Sequence, residues 1–179
     1  MFAGNDISSL APILDHVWRS RTKNADDSLQ TVAAAFRSAY KEQLRLKAEA
    51  EFLTPIGYTL EEFKKDGLSQ LGPENFTRIL YEIEKQTIDL QFLLAGFDDK
   101  EEHIFTVTSP GKIEHYTELG FWAIGVGQTH ALGSMFSYVN RVRFASLPDA
   151  LYRVCKAKFT SENAPVGGNE YGDCWSITF

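Results

Sequence analysis

Two glycines flank a valine in "FWAIGVGQTHALGSMF", Phe121 to Phe136, where a strand-like apolar run gives way to a helix-like one. A glycine-rich turn before a helix can cradle a phosphate on the exposed amides of the helix start. A dinucleotide loop needs a further glycine three residues after the second, so that helix and strand can approach closely. Histidine (His130) stands there, and the next glycine is Gly133. No Gly-Lys-Ser or Gly-Lys-Thr occurs, so a Walker-type phosphate loop fails as well. Gly125 and Gly127 therefore read as a packing turn.

Other chemistry-bearing residues are scattered. The four histidines, His16, His103, His115 and His130, lie far apart in sequence. His103 and His115 could meet across a hairpin with Glu101 and Glu114 nearby. A structural zinc wants four ligands, so such a pair reads as a solvated hairpin surface and no metal is expected. The acidic pairs Glu61-Glu62 and Glu101-Glu102 suit a helix start and a turn better than an acid and base couple. Ser134 lies one helical turn after His130, and Ser137 follows, without an acid at triad spacing. Cys155 and Cys174 are the only cysteines, too few for a disulfide scaffold and without zinc spacing, and they read as thiols in a reducing cytoplasm. No cofactor is implied.

The elements that must position these residues follow from periodicity. Phe2 and Ala3 read as a strand end turning at Gly4 and Asn5, and Asp6 as an N-cap. In the helix that follows, Leu10, Ile13, Leu14 and Val17 form a stripe expected to pack on a sheet. Ser28 caps a second helix to about Glu51, expected to be the longest, with Leu29, Val32, Ala33, Phe36, Tyr40 and Leu44 on one face. Residues 52–72 read as an insertion or helical excursion with a Thr59/Glu62 capping box. A further helix is expected over Pro73 to Thr87. From Ile88 the period shortens: "IDLQFLLAGFD", "HIFTVTSPG", "KIEHY" and "GFWAIG" predict an antiparallel meander, with Gly96 and Asp98 ending its first strand. Helices return over Thr129 to Phe144 and over Leu147 to about Asn163, the latter with Leu151, Val154, Cys155 and Phe159 on one face. "DCWSITF" predicts a closing strand. Helices before and after a sheet block indicate a layered α+β domain spanning 1–179.

Bulk properties agree. A chain of 179 residues with net charge −6 supports one core and no basic face, which argues against nucleic acid as a partner. No apolar run reaches the ~20 residues of a bilayer span, and no signal peptide is evident, so a cytoplasmic protein is expected.

"LLAGFDD", "HIFTVTSPGKIEHY" and "FWAIGVGQTHALGSM" are similar in order and spacing to segments of proteasome β-type subunits and their bacterial HslV-like relatives, members of the N-terminal nucleophile (Ntn) hydrolases. "FAGND" resembles the family's "LAGAGD" element, and "AKFTSENAPVGGNEYGDCWSIT" its last long helix, glycine turn (Gly167, Gly168) and strand. The resemblance implies an αββα sandwich, here without its first strands. It implies a nucleophilic Thr, Ser or Cys at a processed N-terminus whose own amine is the base. Internal Thr31, Thr54, Thr59 and Thr77 each fall in or beside an expected helix, not before a strand, so no residue of this chain is assigned a catalytic role. Where active members carry serine between the glycines stands Val126, and where many carry aspartate and then serine after the last helix stand Asn163 and Val166. Valine offers no hydrogen bond and asparagine no charge. The expectation is a non-catalytic subunit that assembles with itself or a related subunit. The alternative is a fragment of an amide or peptide hydrolase whose nucleophile lies upstream.

Overall fold

The computed structural model describes residues 1–23, 28–98, 101–137 and 146–162. Among them are five α-helices and a four-stranded antiparallel sheet, a mixed α and β architecture. They fall into two compact units: a helical unit of Asp6–Asp89 with Ser109–Lys112, and a sheet unit of Met1–Asn5, Leu90–Thr108 and the residues from Ile113 on.

In the helical unit, α1 (Leu10–Lys23) follows a 3-10 turn, Ile7–Ser9. Asp6 stands at the expected N-cap position but its side chain caps no amide; its carboxylate instead accepts from the hydroxyls of Ser8 and Ser9 at 2.9 and 3.1 Å. Those hydroxyls, first, and Lys47 at 3.4 Å hold the Asp6 carboxyl below the usual carboxylate range. Helix α2 (Leu29–Ala48) is capped by Ser28, whose hydroxyl accepts from the Thr31 amide at 3.2 Å. It runs into a π turn, Glu49–Leu53, and a 3-10 turn, Thr54–Ile56, closed by Gly57 in the left-handed region. Helix α3 (Leu60–Lys85) begins with a complete capping box between Thr59 and Glu62. It breaks at Gly72, where φ is 75° and ψ is 161°, just before Pro73. The 20 residues of α2 are therefore the longest unbroken helix among those described, although α3 spans 26 residues end to end.

Helices α1 and α2 pack along each other. Their buried side chains are Ile13 and Val17 from α1 and Ala33, Phe36, Ala39 and Tyr40 from α2. Leu14, expected in the same stripe, is 43 % exposed. The 52–72 stretch contributes to this unit's core, since Leu53 and Phe63 are fully buried and Phe63 stacks on Phe76 with ring centroids 4.8 Å apart. The Ser109–Lys112 turn is held by Arg37, whose Nε donates to the Gly111 carbonyl at 3.2 Å.

In the sheet unit, β1 (Phe2–Gly4), β2 (Leu90–Asp98), β3 (Glu101–Thr108) and β4 (Lys112–His115) lie in that order. Phe2 stands opposite Phe92, Phe92 opposite Val107, and Leu94 opposite Phe105. Leu90, Phe92, Phe105 and Val107 are buried, and so is Thr106 between the last two, so that β3 is covered on both faces there. The meander is thus present over β2, β3 and β4, but its expected fourth member is not: Phe121 to Ile124 have no strand pairing. Instead a 3-10 turn, Thr117–Leu119, ends at Gly120 with φ 78°. The aromatic side chains beyond it are spent on packing. Trp122 stacks on Tyr116 with centroids 3.5 Å apart, and Phe121 enters a cluster with Met135 and Ala157. Strand propensity loses to that burial.

Helices α4 (Gln128–Phe136) and α5 (Leu147–Glu162) close the unit around this cluster, with Leu119, Ala131, Leu132 and Val154 at its margin. The buried side of α5 is Ala157 and Ser161, with Val154 half-buried, and not the expected Leu151, Cys155 and Phe159. Leu151 and Phe159 are 54 % and 61 % exposed, and Cys155 is exposed. The two faces differ because α5 is apolar on both, and a period alone cannot choose between them.

Candidate functional site

The glycine turn opens α4. The Gly125 carbonyl accepts from the Gln128 amide and the Gly127 carbonyl from the Ala131 amide, each at 3.0 Å. Gly125 has a φ of 93°, a conformation that an L side chain rarely adopts, and a Cβ there would stand 3.3 Å from the Cβ of Ala3 in β1. Gly127 has ordinary backbone angles and is constrained by space: a Cβ would lie 2.7 Å from the Cβ of Ser161 and 3.1 Å from its carbonyl oxygen. Each glycine thus answers to a different demand, one a backbone turn beside β1 and the other the close approach of α5 to the start of α4.

Val126, between them, is 71 % exposed. Its side chain offers no donor, acceptor or charge. Ser161, which packs against Gly127, donates its hydroxyl to the Lys158 carbonyl at 2.7 Å. On α4, the Ser137 hydroxyl donates to the Gly133 carbonyl at 3.1 Å, and His130 is exposed. The turn as described positions helices and supplies no acid, base or nucleophile. Gly96 lies inside β2 opposite His103, within the ladder. Asn163, Val166, Gly167 and Gly168 lie outside the described residues, as do Cys174 and the expected closing strand.

The expected hairpin pair is organised by an aromatic ring. His103 stacks on Phe105 with centroids 5.5 Å apart, and His115 meets the same ring edge-on at 4.5 Å. Among the described residues no three His, Cys, Asp or Glu side chains gather as a metal would need. Thr31 lies in the first turn of α2, Thr54 in a 3-10 turn, Thr59 at the cap of α3 and Thr77 within α3.

Sequence reasoning passed over His16. It lines an open groove of about 330 Å³ in the helical unit with Pro12, Asp15, Arg19, Ser20 and Gln43. Asp15 and Arg19, one turn apart on α1, pair with each other at 2.7 Å, with side chains 56 % and 74 % exposed. The only advance signal was the i, i+4 spacing of that pair. No helix among the described residues is long and apolar enough to cross a membrane.

No family model matches the chain, and comparison with curated proteins and with solved structures returns no match.

Proposed function

We propose that the chain is a proteasome-like subunit of the Ntn-hydrolase fold that acts in assembly, not in catalysis. It joins copies of itself or a related subunit in the cytoplasm, and its sheet is one layer of an αββα sandwich. The observation that carries this reading is the order of elements: β1, three helices, a meander of β2, β3 and β4, then a glycine turn opening α4 and a further helix. The helices before the meander and the glycine turn opening a helix after it are what support the reading; the apolar strand that the resemblance implies before that turn has no counterpart, since Phe121 to Ile124 pair with no strand. Val126 supports the non-catalytic half of the proposal, because a valine side chain, unlike the serine of active members, offers no hydrogen bond to orient an amine.

The test is covalent labelling of the protein purified from its own source with a peptide epoxyketone, which requires a hydroxyl nucleophile beside a free amine. No mass adduct is expected. An adduct mapping to an N-terminal Thr or Ser would replace this reading with that of an amide or peptide hydrolase.

A further inference from the structure

Helix α1 carries two apolar faces. Ile13 and Val17 are buried within the helical unit, while Leu14 and Trp18 are 43 % and 67 % exposed. Ile7, in the turn leading into the helix, is 68 % exposed, and Ala11 is exposed as well. Ile7, Ala11, Leu14 and Trp18 are spaced by four, three and four residues, the heptad step that keeps one seam facing a second helix. An indole this exposed, in line with two aliphatic side chains, is the composition of an interface centre.

The flank of the seam indicates what covers it. Asp15 and Arg19 lie along one side, one helical turn apart, and carry opposite charges. If two α1 helices cross antiparallel about a two-fold axis near residue 17, each Asp15 meets Arg19 of the partner subunit, and the exchange occurs twice. Leu14 and Trp18 of the two copies then alternate along the axis. Such self-complementarity is what an isologous contact demands of one surface. Both charged side chains are more than half exposed and already paired within the helix, so trading an internal partner for an external one adds little desolvation.

We infer that the Leu14–Trp18 stretch of α1 is a two-fold contact between copies of this chain, with Leu14 and Trp18 at its centre and reciprocal Asp15–Arg19 pairs at its rim. This rests on the assembly reading proposed above and names the surface through which assembly begins.

Sedimentation velocity of the full chain over a concentration series tests it. The chain should self-associate, and Trp18→Ala should weaken association at least about tenfold, as loss of a central aromatic anchor does. Asp15→Arg alone and Arg19→Asp alone should each weaken it, because like charges then face each other across the axis. Mixed in equal amounts, these two variants should associate with one another, since opposite charges face again. A restored intrahelical pair cannot produce that rescue, and both substitutions fall on exposed side chains, which covers the case in which Trp18→Ala fails to fold. An oligomer indifferent to all three substitutions, or single charge variants that do not recover on mixing, would overturn the α1 face and leave the assembly reading standing. A wild-type chain that stays monomeric throughout would overturn both.

Discussion

Gly127 shows how much one missing side chain can hold together. A methyl group there would press on the backbone and Cβ of Ser161, which sit on a packed helix and have little freedom to yield. Gly127→Ala should lower the stability of the sheet unit by about 1–3 kcal/mol, the usual cost of overpacking, as measured by denaturant unfolding. Ser161→Gly in the same chain should recover part of that loss, because it removes the 2.7 Å clash but leaves the carbonyl contact at 3.1 Å. Tyr40 makes a pH prediction. Burial first, and the Asp89 carboxylate second, push its phenol well above the ordinary value. The folded state therefore favours the protonated form. Its contribution is complete below the unfolded value of about 10 and is lost as pH rises above it toward the folded value. Stability should fall on going from about pH 10 to 12, and Tyr40→Phe should flatten that slope in urea titrations. At this scale the sequence was informative wherever the chemistry is local. The Ser28 cap and the Thr59/Glu62 box are legible because a hydroxyl and an amide three residues apart need no tertiary partner. The role of Gly127 was not, because Ser161 is its neighbour only through the packing of α5.

Among the elements, the helices read well as helices and poorly as surfaces. Thr59 starts α3 by accepting from the Glu62 amide at 3.2 Å, while the Glu62 carboxylate accepts from the Thr59 amide at 2.9 Å. Thr59→Ala should therefore cost about 1 kcal/mol in unfolding free energy, with the loss of helical circular dichroism beginning at that end. The break at Gly72 was legible as a boundary, since Gly-Pro cannot continue a helix, yet the stacking of Phe63 on Phe76 that bridges it was not. α1 and α5 illustrate the limit. Each is apolar on two faces, so periodicity identifies the helix and leaves open which face the core takes. Leu14 and Phe159 are exposed where a single stripe would have buried them. The expected strand over "GFWAIG" fails for a related reason: Phe121 and Trp122 are good strand formers, but their burial partners, Met135 and Tyr116, draw them out of the ladder.

At the scale of the molecule, the described elements are helices on either side of a four-stranded antiparallel sheet in the chain, and the residues singled out for chemistry are taken up by local structure. The glycine turn spends its conformational freedom on packing, the threonines considered as nucleophiles sit in helices and caps, and the two hairpin histidines close on a phenylalanine. What remains conspicuous at the surface is apolar: Trp18 on α1 and Tyr152 on α5 are 67 % and 66 % exposed. Exposed aromatic side chains on ordered helices are a common mark of surfaces that other chains cover. Native mass spectrometry of the protein from its own source tests this account most directly. It predicts an assembly whose mass is a multiple of subunit mass, in copies of this chain alone or with a related subunit. A single monomeric species across the micromolar range, with no higher assembly, would contradict it.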